Sequence, residues 1–71
     1  MRKYLVVFEK TKTGYSAYVP DLPGCIATGK NKNDVEKRIY DSITFHLEGL
    51  KESNHKIPRP SAESAFLLVN S

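Results

Sequence analysis

Seventy-one residues are enough for one small domain and not for two. With 39% hydrophobic and 27% charged residues the chain reads as globular rather than disordered. Its formal charge of +3 is mild and scattered, which points to a solvated surface before a nucleic-acid patch. Cys25 is the single cysteine, so an internal disulfide is excluded. With His46 and His55 it falls short of the four ligands of a usual zinc site. A core this small stabilises weakly, so association with another chain is expected to supply the rest.

In chain order, the apolar run after Met1, Arg2 and Lys3 is only Tyr4 to Phe8. That is too short for a signal-peptide core or a membrane span, and with its unpaired thiol the protein is expected in the cytoplasm. Tyr4–Phe8, β-branched and aromatic, predicts a first strand. Lys10 to Gly14 is a polar hairpin loop, and Tyr15 to Val19 resumes the strand pattern. Cys25 to Thr28 is a third, shorter strand, ended by Gly29.

At Asn31 the pattern changes to helical period. Val35, Ile39, Ile43, His46, Leu47 and Leu50 share one stripe. Asn31 is a good N-cap and Asp34 suits the first turn. The helix is expected to reach Glu52, with Ser53 and Asn54 marking its end. Residues 54–62, with Pro58 and Pro60 and no period, read as an extended linker. Ala65 to Val69 predicts a fourth strand.

The expected fold is therefore α+β, a single domain over residues 1–71 with element order β-β-β-α-β. The first three strands form an antiparallel meander. The helical crossover places the fourth strand parallel to the first and third, giving the sheet order 3-2-1-4. One helix covers one face only. Leu5 and Val7 alternate with Tyr4, Val6 and Phe8, and Phe66 and Leu68 alternate with Ala65, Leu67 and Val69. An apolar face is thus left open, and a homodimer or higher oligomer through that face or a sheet edge is expected.

Between strands two and three lies Pro20-Asp21-Leu22-Pro23-Gly24. Pro20 cannot donate to a ladder, so the second strand ends there or lies with its donor side unpaired. Pro23 and Gly24 suit the central positions of a type II turn. The larger pattern is "GYSAYVPDLPGCIATG", an amphipathic helix ending "HLEGL", and "IPRPS" before an apolar strand. It resembles the HicB family of antitoxins, matching that family's P-D-L-P-G-C motif from Pro20 to Cys25 and its glycine at Gly29.

That resemblance implies a partial RNase H-like fold. It also implies a partner, a HicA-type toxin that cleaves mRNA with its own histidine and is neutralised by direct binding. The expected contact is Tyr18, Pro20, Asp21, Leu22, Pro23 and Gly24. Two prolines and a glycine hold this loop in one shape before binding, which lowers its ordering cost. Asp21 is the acidic group of the loop and Leu22 its apolar anchor, so alanine at either is expected to weaken binding while sparing stability; the competing reading is that Asp21 only caps the turn and the interface lies on another face. The chain stops at Ser71, straight after the fourth strand, without the DNA-binding domain many members carry, so direct operator binding is not expected.

Catalysis is not expected, and neither is a cofactor or metal. RNase H chemistry needs clustered carboxylates, whereas Glu9 and Asp21 sit at strand ends and Asp41 on the helix. His46 reads as a boundary residue of the apolar stripe and Cys25 as a small buried hydrophobe. Two alternatives stand beside the antitoxin reading. One is a small nucleic-acid-binding module stacking bases on Tyr4, Tyr15, Tyr18 and Tyr40. The other is an orphan self-associating domain without a toxin partner.

Overall fold

A computed structural model describes residues 1–71. Three strands, β1 (Val7–Lys10), β2 (Tyr15–Tyr18) and β3 (Ile26–Gly29), precede one long helix, α1 (Lys32–Glu52). The sheet is antiparallel in the order β1-β2-β3. Val7 pairs with Tyr18 and Tyr18 with Ile26; one residue along, Phe8 pairs with Ala17 and Ala17 with Ala27. Side chains alternate between faces, so these are two rows across the sheet on opposite sides. The row Phe8–Ala17–Ala27 lies under α1, with Ala17 buried and the other two half-buried.

The helix begins where the sequence says it should. The Asn31 carboxamide oxygen accepts from the Asp34 N–H at 2.8 Å, and the Asn31 amide group donates to the Asp34 carboxylate at 3.2 Å. One free backbone donor of the first turn is thereby satisfied. Its end is a Schellman motif. The N–H of His55 donates to the Leu50 carbonyl and that of Asn54 to Lys51, while Asn54 sits at φ 58°. Asparagine tolerates this left-handed position better than most side chains.

Val35 and Ile39 are buried, and Ile43 and Leu47 pack half-buried against the same cluster, as the stripe requires. His46 is half-buried on that stripe, a boundary position. The core is completed by Ala17, Val19, Leu22 and Cys25.

Two expectations are corrected. The first strand starts at Val7 rather than Tyr4, because β2 ends at Tyr18 and the chain then turns away; Tyr4, Leu5 and Val6 are left without a ladder partner. The fourth strand does not form, and the sheet has three strands rather than four in the order 3-2-1-4. Ala65 to Val69 leaves the body with its apolar side chains in solvent: Phe66 and Leu68 are fully exposed, and Leu67 and Val69 nearly so. The run has the composition of a buried strand, but no neighbour in this chain conformation buries it. The Cα radius of gyration, 13.9 Å, exceeds the about 11 Å of a compact chain this long, in line with a projecting tail.

Candidate partner-binding site

The loop after β2 is two successive turns. The Leu22 N–H donates to the Val19 carbonyl at 3.1 Å, and the Cys25 N–H donates to the Leu22 carbonyl, also at 3.1 Å. The first turn therefore has Pro20 and Asp21 at its centre, and the second has Pro23 and Gly24. Gly24 adopts φ 91°, the left-handed value a type II turn needs at its second central position, where proline has set the first. A bond from the Val19 N–H to the Cys25 carbonyl at 3.2 Å closes the base of the loop.

This geometry divides the expected site residues. Pro20, Pro23 and Gly24 are exposed at the loop surface. Tyr18 is 41% exposed on the sheet face away from α1. Leu22 is the exception, since its side chain is 0% exposed and sits in the core with Val35 and Ile39. The expectation of Leu22 as an anchor for a partner is therefore corrected: a leucine between two turns can fold under them, and this one does.

Asp21 is also committed within the chain. Its carboxylate accepts from the backbone N–H groups of Ser61 and Ala62, each at 2.9 Å, and from the Ser61 hydroxyl at 3.0 Å. The loop thus clamps the segment that follows the helix, forty residues further along the chain. A second tie holds the same segment where the Tyr4 hydroxyl donates to the Pro58 carbonyl at 2.6 Å. Loop, amino-terminal segment and linker form one surface. No sequence signal announces an aspartate–backbone clamp at this separation.

The backbone donors of Ala62 and Ser61, opposed by desolvation and aided by the Ser61 hydroxyl, hold the Asp21 carboxyl below the ordinary aspartate range. A depressed folded-state pKa favours folding above the unfolded-chain value, and that contribution is lost as pH falls through the lower folded value. Asp21→Asn is expected to lower the thermal midpoint at neutral pH and to flatten its fall below pH ~4. Amide exchange at Ser61 and Ala62 should quicken in the variant. An unchanged acid limb and unchanged exchange would show that the clamp contributes nothing.

Beside the loop, the pairing extends the exposed surface across the sheet. Val7, Tyr18 and Ile26 form one apolar row on the open face, Val7 half-buried and Ile26 68% exposed. Ile26 was not singled out from sequence, and Val7 was assigned to a face without a neighbour. Register was the missing information, because alternation assigns each residue to a face but not to a neighbour. The next row, Glu9–Ser16–Thr28, is polar and bounds the patch. His, Cys, Asp and Glu side chains nowhere gather in a group of three or more. No helix is long and apolar enough to cross a membrane.

Comparison with known proteins agrees with this architecture. A family described as HicB-like antitoxin of bacterial toxin-antitoxin system matches residues 4–67. A UPF0150 protein of Thermoplasma acidophilum is 44% identical over 62 residues, covering 86% of this chain and 90% of that protein. The antitoxin HicB 2 of Photorhabdus laumondii is 28% identical over 68 residues; the match takes in 94% of this chain and 49% of that antitoxin. Among solved structures, a chain of a HicA3 and HicB3 toxin-antitoxin complex superposes with a TM-score of 0.70 at 28% identity, covering 84% of this chain and 70% of that one. From Tyr4 to Leu67, through the proline–glycine loop and the whole of α1, the chain belongs to the HicB-like antitoxin family.

Proposed function

We propose that this protein neutralises a HicA-type, mRNA-cleaving toxin in the cytoplasm by binding it directly, and that it does so as a binding protein without catalysis of its own. The observation that carries this reading is the likeness to a chain found in a HicA3–HicB3 complex, at 28% identity over most of this chain. The family match over residues 4–67 supports it independently. The partial RNase H-like description belongs to the same proposal, with three strands here in place of four.

The contact is proposed at the exposed residues Tyr18, Pro20, Pro23 and Gly24, with Ile26 beside them. Asp21 and Leu22 serve it indirectly, by clamping the linker and filling the core beneath the loop. A tyrosine flanked by rigid turns binds at low entropic cost, because little is left to order. Homo-oligomerisation is part of the proposal, and direct DNA binding is not.

Co-expression with a HicA-type toxin tests the function, with growth restored as the expected result. Arrest that persists despite folded protein would overturn it. Tyr18→Ala is expected to weaken toxin binding about tenfold or more, with thermal unfolding little changed. Wild-type affinity in that variant would move the contact to another face.

A further inference from the structure

The segment Ala65–Val69 and the outer edge of β1 are each incomplete in a complementary way. β1 is hydrogen-bonded to β2 on one side and to nothing on the other. Beside that free edge runs an open groove of about 630 Å³, lined by Tyr4, Val6 and Phe8 on one wall and Ile39, Tyr40 and Ile43 on the other. Opposite it in kind, Phe66 to Val69 is a continuous apolar run lying in solvent. An exposed edge and an exposed apolar strand are each a pairing hazard that folded proteins cover.

We infer that Ala65–Val69 is an exchanged strand: in a symmetric dimer each copy lays this segment along the free β1 edge of the other. The inference gives a specific form to the proposed homo-oligomer and rests on that reading. Three features favour a second copy over the chain's own edge. The Asp21 carboxylate holds the N–H groups of Ser61 and Ala62, so the tail's direction is fixed immediately before it departs. Ala62 lines the groove itself, yet after Glu63 and Ser64 the run from Phe66 to Val69 lies in solvent instead of along this chain's own edge. Upstream, Pro58 and Pro60 stiffen the connection, and a rigid, short hinge is the usual invitation to exchange.

The chemistry of the segment fits a strand buried on both sides. Alternation sends Ala65, Leu67 and Val69 to one face and Phe66 and Leu68 to the other. Along β1, one face would meet the groove wall formed by Ile39 and Ile43, and the other would extend the row of Val7, Tyr18 and Ile26. The exchange therefore closes the sheet edge and covers part of its open face together.

The test uses the full chain without toxin. Sedimentation is expected to give about twice the 8.0 kDa chain mass, and the double substitution Phe66→Asp, Leu68→Asp to give a monomer with unchanged helical circular dichroism. An equal mixture of isotope-labelled and unlabelled chains, unfolded and refolded together, should show nuclear Overhauser contacts between Leu67 or Leu68 methyls of one chain and Val6 or Phe8 of the other. A wild-type monomer would overturn both the exchange and the oligomer. A dimer that survives the double substitution, or tail contacts found only within a chain, would overturn the exchange and leave the oligomer standing.

Discussion

Leu22→Ala is expected to cost about 2–5 kcal/mol, the range for emptying a buried leucine site. A chain of this length has a total stability of about 4–11 kcal/mol, so one substitution removes a large share of it. Leu22 has no exposed surface, and it sits between the turn that ends β2 and the turn that starts β3. Its neighbours cannot easily collapse into the space. Val19 and Cys25 are tied to each other by the bond that closes the loop, and both turn bonds use the Leu22 backbone itself. Urea unfolding followed by helical circular dichroism would measure the loss. A change within about 0.5 kcal/mol, the usual range for surface positions, would mean the loop does not depend on its buried residue.

Much of this architecture was legible in the residues. The helix from its Asn31 cap to its Ser53–Asn54 end could be read because cap, stripe and stop are local signals a few residues apart. The Pro23–Gly24 turn could be read because each residue has one conformational use there. What could not be read depends on distant parts of the chain. Leu22 and Asp21 are adjacent and both looked like loop residues available to a partner, yet one fills the core and the other binds residues 61 and 62. Composition could not separate these fates, since a turn exposes or hides a side chain according to what packs beneath it. The Ala65–Val69 run shows the converse. Its pattern has the composition of a buried strand, yet the run forms no strand here and lies in solvent, because what would bury it is not a property of the pattern. For the site, Tyr18 and the prolines were visible as surface chemistry, and Ile26 joined them only once the register placed it opposite Tyr18.

Gly14→Ala is expected to lie at or above the upper end of the ~1–3 kcal/mol that overpacking costs. Gly14 ends the β1–β2 loop, and its carbonyl accepts from the Thr11 N–H at 2.8 Å. Because Tyr15 pairs with Gly29, Gly14 lies against the point where β3 gives way to the helix. A Cβ there would collide with the Gly29 carbonyl oxygen and come within 2.9 Å of the Lys30 Cα. Both obstacles are backbone, so no side-chain rotation relieves them. Gly29 cannot retreat toward the helix either, since Val35 packs so close that a Cβ on Gly29 would be 2.9 Å from its Cγ2. The hairpin, the end of β3 and the first turn of α1 therefore meet with no slack. Gly49→Ala is the matched control, because nothing lies within 4 Å of a Cβ there and the site is inside α1. It should stabilise by about 0.5–1 kcal/mol through the lower backbone entropy of alanine. Opposite signs for the same chemical change, measured by thermal unfolding of the two variants, are the expected outcome. A neutral Gly14→Ala would show that the hairpin can move away from β3 without loss.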